Sequence, residues 1–459
     1  MTRRRCCVRL GVGVVLMIAA GACGSDGGSG SSAGAVTSSS AAGAGACVRN
    51  EQGTGCLPTA PDSARVDLER PSFSDPARIS NSRFPVGELT QVLQLGHEGG
   101  QPLRVEVTRL PGAKVVAWNG QPVGTVRSQF VAYLGGRIRE VAIDYFAQAD
   151  DGAVWYFGED VANYEDGVVA DHDGTWLTGK DGPPGMIMPA APEVGDVYRS
   201  ENIPGKVFEQ DTIRSTGETV AGPRGPVQGV AHVQELLMDG TFEEKAFAPG
   251  YGEFRAEAKD ELVTVALAVP VDATGGPVPA ELATLADGGA AVFDAAAAGR
   301  WPAVTARVGA MAAAWKRLAG SQVPTLLAEQ LDKTTGALTR AAGGRDPARA
   351  GQAALRVEQA ALDLQLRYRA PAVVDLDRLD LWARQLLLDA AAGDRGAVAG
   401  DAATLQVIWD RAGHGAEAAA AGRVTAGLTA VGKAAAGKDV RAAAAAIPPL
   451  RTALAGLTP

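Results

Sequence analysis

The chain has 459 residues, 46% of them hydrophobic and 21% charged, with a formal net charge of −9. That length exceeds one ordinary core and predicts at least two domains. The acidic balance, with no Lys/Arg-rich run after residue 10, argues against a nucleic-acid partner.

Arg3, Arg4, Arg5 and Arg9 form a positive start, Leu10–Ala20 an apolar stretch, and Ala20-Gly21-Ala22 a small-residue site before Cys23. Eleven residues are too few to cross a bilayer as a helix but suit a secretory signal over residues 1–22. The end of this stretch resembles a bacterial lipobox, which implies lipidation of Cys23 as the first mature residue. Ordinary cleavage after Ala22 would instead release a soluble secreted protein. The paired arginines of "TRRRCCV" lack the aromatic and Leu that follow them in twin-arginine signals, so either export route stays open.

Residues 23–46 read as the lipidated cysteine and a Gly/Ser/Ala tether. As a random coil the tether spans roughly 25–30 Å, enough to hold a folded body just off a membrane. Removing residues 1–22 takes away four arginines and no acids, so −9 becomes −13. An acidic membrane surface repels such a body, which favours a covalent lipid as the anchor. Cys47 and Cys56, with eight residues between them, are left outside the cytoplasm and predict a disulfide. Residues 47–83 form that loop and a lead-in.

Residues 84–269 are punctuated by turn signals and read as antiparallel β. In "REVAIDYFAQ", Val141, Ile143, Tyr145 and Ala147 share one face; Glu140, Ala142, Asp144 and Gln148 share the other, with Phe146 an apolar exception there. Turns are marked at Asn119-Gly120, Asp151-Gly152, Asp166-Gly167, Asp173-Gly174 and Asp181-Gly182, and Asp239-Gly240 is the best two-residue hairpin signal. Strands at this spacing without helices between them predict a meander, either a curved sheet or a barrel.

In "AVWYFGED", Val154 and Tyr156 face one way, Trp155 and Phe157 the other. A strand apolar on both faces needs a cover on both. The sheet interior supplies one; the helical half is the first candidate for the other, with a partner protein or a bound apolar molecule as alternatives. Trp155, Tyr156 and Phe157 are therefore the candidate ligand or domain-interface face. Nine carboxylates fall between Asp150 and Asp181, and "DHDG" starts with a calcium-loop spacing at Asp171 and Asp173. Lys180 stands where such a loop needs its closing acid, and four of the acids directly precede Gly, where turns favour Asp. Turn chemistry is the preferred reading and calcium the weaker one. Met186 and Met188 sit two apart, as soft copper ligands could, but a Met-lined strand face in a core is commoner. His97, His172, His232 and His414 are scattered, which argues against zinc. No P-loop, G-x-S-x-G or free cysteine suggests a catalytic centre, and no cofactor is expected.

Residues 270–279 are a Pro/Gly linker, and 280–459 are Ala/Leu-rich with helical spacing. The segment from Asp294 repeats from Asp389, with Trp315-x-Arg317 matching Trp409-x-Arg411 in phase. This predicts an all-α duplicated bundle of two four-helix units, 280–370 and 374–459. Val398, Ala402, Leu405 and Trp409 make the apolar stripe of the second unit. Asp346-Pro347 is a helix start. Arg367, Arg369 and Arg384 read as solvated helix faces or, alternatively, as a convergent anion site.

The ordered motifs "VWYFGED", "GMIMPA", "VGDVYR" and "KAFAPGYGEF" resemble an uncharacterised family of secreted bacterial, actinobacterial-type lipoproteins over about Phe84–Leu267. Ala153 stands where that family commonly has Asn, and Met186 where it has Ile. The resemblance implies export and assigns no residue a role. The expectation is an α+β, two-domain, lipid-anchored protein on the extracytoplasmic face of the cell membrane. It reads as a non-enzymatic binding or scaffold module for an apolar envelope molecule or a partner protein. An envelope glycan or lipid hydrolase is the alternative, and a divalent-metal-handling lipoprotein the second alternative.

Overall fold

The computed structural model describes residues 47–457. The expected signal segment, Cys23 and the tether lie outside the described residues. Two antiparallel meanders make one fourteen-stranded sheet. The first comprises β1 (Gln91–Glu98), β2 (Gln101–Trp118), β3 (Gln121–Leu134), β4 (Arg137–Gln148), β5 (Val154–Glu165) and β6 (Val168–Asp171). Two short strands, β7 (Trp176–Leu177) and β8 (Gly185–Met188), also pair with β5. The second meander runs through β9 (Val197–Ile203), β10 (Val207–Gly222), β11 (Gly225–Leu237), β12 (Phe242–Ala248), β13 (Gly252–Ala258) and β14 (Glu261–Val269). Pairing of β14 with β1 joins the two.

The turn chemistry explains the short connections. Asn119 and Gly120, and Asp166 and Gly167, all have positive φ, as two-residue hairpins of the primed type require. At Asp239-Gly240 the loop is longer than its sequence signal: residues 238–241 form it, and the Asp239 carboxylate accepts from the Thr241 amide and hydroxyl. An Asx-type cap there replaces the tighter turn.

The sheet is curved but not closed. β8, riding on β5, backs onto β9, and a methyl on Gly185 would strike the Ser200 carbonyl. The two flanks thus touch without a hydrogen-bonded ladder, and one face of the sheet is enclosed. Phe146, Tyr156, Tyr198, Val233 and Phe247 meet inside, as do Val105, Phe130, Ala142, Ala256 and Val263.

The helices are α1 (Ala280–Ala297), α2 (Trp301–Leu318), α3 (Thr325–Gly344), α4 (Pro347–Gln365), α5 (Pro371–Ala392), α6 (Arg395–Ala412), α7 (Ala418–Ala436) and α8 (Val440–Ala455). α2 starts at 301 and ends at 318; α6 starts at 395 and ends at 412, 94 positions later at both ends. Trp315 donates to Asp332 on α3 and Trp409 to Thr425 on α7, so both tryptophans staple the second helix of a unit to its third. Asp346 and Asp394 cap α4 and α6 through the amides of Arg349 and Ala397. Among the described residues no helix is long and apolar enough to cross a membrane.

The two units meet the sheet differently. The α1–α4 core is continuous with Leu93, Ala266, Leu267 and Val269 of β1 and β14. The α5–α8 unit has its own core, including Val398, Leu405 and Trp409. It docks through polar contacts, through Tyr133 stacked on Trp382 at 5.6 Å, and through the β5–β6 turn. At that turn Gly167 lies directly on Gly396 and Gly400 of α6.

Candidate functional site

Strand alternation with the curl places a belt of ionisable side chains on the enclosed face. Across the pairing, Ser128 of β3 stands opposite Asp144 of β4, and Asp144 opposite Glu159 of β5. On the other meander Glu201 stands opposite Glu209, and Asp211, Glu235 and Glu243 form a row over β10, β11 and β12. Directly opposite residues have Cβ atoms about 4.5–5.5 Å apart, so these carboxyls crowd one another. All are buried.

One cation answers them. Lys245 Nζ lies 2.7 Å from Glu235 and 3.9 Å from Glu253. Burial opposes its charge, but Glu235, Glu253 and Glu243 more than offset that and hold its pKa above the ordinary value. For most of the acids burial dominates. It pushes Asp144, Glu159, Glu201, Asp211 and Glu243 well above the carboxylate range, with neighbouring acids adding to it. Glu209 is pushed up to about 8 and Glu253 to about 7 for the same reason. Apart from Glu253, about half ionised at neutral pH, these groups are thus largely uncharged carboxylic acids there.

Glu159 shows the consequence most clearly. It is fully buried, and neither of its oxygens has a donor. Its neighbour across the seam is Glu201, which accepts from the Trp176 indole at 2.7 Å. Two such acids are compatible when a proton lies between them. The acids are strung around the interior and do not converge. Among the described residues no group of three or more His, Cys, Asp or Glu side chains is placed to hold a metal ion.

At one end the belt is reached through a narrow cavity with about 50 Å³ of interior space open to water, about 600 Å³ when the open mouth is counted. Phe84, Val92, Val107, Phe130, Phe146 and Tyr251 wall it; Asp144, Glu253, Gln94 and Ser128 supply its polar lining. Tyr156 donates to Asp144 at 3.0 Å, and Gln94 to the Glu253 carbonyl at 2.9 Å. The Ser128 hydroxyl is buried without a partner. Arg109 sits at the rim, tied to the Gly87 carbonyl at 2.6 Å. Phe84 lies in the segment before β1 and meets Phe146 edge-on at 5.0 Å, so that segment builds one wall.

The residues singled out from the sequence fall elsewhere. Trp155, Tyr156 and Phe157 are buried in a cluster with Ile79 and Phe84 of the segment before β1, separate from the cluster shared with the helices. Phe73 covers Phe157 edge-on at 5.3 Å, so the second cover expected from the helical half comes from the lead-in. Only Tyr156 touches the belt. Asp171 accepts from Asn163 at 2.6 Å and from the Asp173 amide at 3.1 Å, a turn cap. Met186 and Met188 are buried beside Trp155 and Val154. Arg367, Arg369 and Arg384 do not converge: they bind the carbonyls of Asp272 and Gln322, Asp377, and Glu358 with Asp380, respectively. Cys47 and Cys56 are bonded. In the sequence only the Asp144–Phe146 face hints at the belt. Its signal is charged residues two apart in otherwise apolar strands, Glu209 and Asp211 in "VFEQDTI" and Glu243 and Lys245 in "FEEKAF". No family model, curated protein or solved structure matches this chain.

Proposed function

We propose that this protein is an envelope binding module, carried on the extracytoplasmic face by a lipid on Cys23, that takes a small apolar-bodied molecule into the mouth of its curled sheet. One observation carries the reading: an aromatic-walled cavity that ends on the buried Asp144 and Ser128 and the half-buried Glu253. Apolar walls with a few fixed polar groups are the usual make-up of a small-molecule site. The hydrolase reading uses the same two carboxyls. It needs one of them ionised as nucleophile or base, and burial raises both; the binding reading therefore has the better support.

The test is fluorescence titration of the mature chain with N-phenyl-1-naphthylamine, an apolar dye that brightens when it leaves water. Saturable binding to one site is expected, abolished by the cavity-filling change Val107→Trp. Absence of saturable binding, or binding unchanged in that variant, refutes the site. For the anchor, Cys23→Ala should move the protein from the membrane fraction to the soluble one; retention in the membrane would refute lipidation.

A further inference from the structure

We propose that the molecule this cavity selects is an organic cation, a primary ammonium on a slender apolar body. This rests on the binding reading above and names its ligand class. Among the described residues the enclosed face holds buried Asp144, Glu159, Glu201, Glu209, Asp211, Glu235 and Glu243, with half-buried Glu253 beside them, against the ammonium of Lys245. Lys245 is spent on Glu235 and stands 3.9 Å from Glu253. Asp144 takes one hydrogen bond, from Tyr156. The cavity thus offers acceptor capacity on Asp144, which has no ion-pair partner among the described residues, and on Glu253, which Lys245 reaches only at 3.9 Å.

An independent observation points the same way. The Ser128 hydroxyl, 1% exposed, lines the cavity opposite Asp144 and has no partner in the protein. An ammonium has three donors to distribute, and Asp144, Glu253 and Ser128 are three acceptors in one cavity. The walls favour the same ligand, since Phe84, Phe130, Phe146 and Tyr251 present ring surface that attracts both an apolar chain and a cation. A carboxylate or phosphate head would meet like charge or acids forced to stay protonated. A bare divalent ion lacks convergent ligands.

Entry of the ammonium converts a neutral carboxylic acid into a carboxylate paired with the ligand, and the displaced proton leaves to solvent. Charge balances: one cation enters and one proton departs.

Isothermal titration of the mature chain at pH 7.5 with octylammonium, 1-octanol and octanoate separates the ideas, because the body is constant and only the head changes. Octylammonium should bind at least about tenfold tighter than octanol. Its apparent heat should differ between Tris and phosphate buffers by the released proton. Asp144→Asn and Glu253→Gln keep the shape of the two carboxyls; each should cut octylammonium affinity about tenfold, well beyond any change in octanol affinity. Octanol binding as tightly as octylammonium, or octanoate binding best, overturns the cation inference and leaves the binding module standing. Binding of none of the three overturns both.

Discussion

The duplication of the helical half sets up a controlled experiment on one ion pair. Glu281 and Arg317 in the first unit correspond, 94 positions on, to Asp375 and Arg411 in the second. The first pair is 3.1 Å apart with side chains 31% and 60% exposed. The second is 2.8 Å apart with side chains 1% and 0% exposed. Arg411 also reaches Glu106 of β2 at 2.6 Å, inside a network where Arg104 binds Glu106 and Asp363, and Arg378 binds Asp363 and Asp375. Three arginines thus meet three carboxylates between sheet and helices. Burial works against the Glu106 charge, but Arg411 and Arg104 outweigh it and hold that carboxyl far below its usual range. Arg411→Met leaves three buried acids facing two cations, a loss of about 3–5 kcal/mol. Arg317→Met removes a pair near the surface, worth about 0–1 kcal/mol. With roughly 2–4 °C per kcal/mol for a domain of about 200 residues, the first variant should melt roughly 6–20 °C lower and the second within about 4 °C of the parent. Circular dichroism melts of both, at one pH and ionic strength, decide it. Equal losses would refute the claim that burial, not the pair itself, sets the cost.

Other consequences are as direct. Glu253 and Glu209 keep their protons in the folded state up to about 7 and about 8, against an ordinary 4.5. The folded chain binds more protons than the unfolded one through that window, so this contribution is complete below about pH 4.5 and is lost as pH rises through 7–8. Melting temperature should therefore fall from pH 5 to pH 8; a rise would refute the buried, protonated belt. Gly167→Ala forces positive φ on alanine and drives a methyl into the Gly396 carbonyl and the Gly400 amide, costing about 2–4 kcal/mol in urea unfolding. Gly120→Ala, with φ +78° and open space around it, should cost only about 1 kcal/mol, and equal effects would refute close docking of the turn on α6. Cys47→Ser should lower stability by roughly 2–3 kcal/mol, the loop-entropy value for so short a ring; an unchanged urea midpoint would refute a stabilising role for the bridge.

Local chemistry made much of the architecture readable. Asn119-Gly120 and Asp166-Gly167 impose their hairpins with no help from the rest of the chain, and Asp346 caps its helix wherever that helix lies. The repeat was visible because Trp315 and Trp409 keep the same job in both units. The candidate site was mostly hidden, because it depends on which face the curl encloses. Asp144 looks like an outward polar residue until the curl brings Tyr251 and Glu253 around the same cavity, and only Phe146 on the same face hinted otherwise. The cover over Phe157 was equally illegible, since Phe73 reaches it from 84 positions away across an irregular segment. Long-range partners of this kind leave no periodic trace.

The β1–β14 ladder has a consequence for how the chain folds. Its paired residues lie between 163 and 178 positions apart, from Glu98–Glu261 to Gln91–Val269. Such non-local pairing forms late and slowly. Until Val269 has been synthesised, β1 keeps an open hydrogen-bonding edge that invites pairing with other chains. The first helical unit cannot finish earlier either, because its core draws on Leu93, Ala266, Leu267 and Val269. Seam closure and completion of that unit should therefore occur as one cooperative event, and a chain ending before residue 269 would have neither.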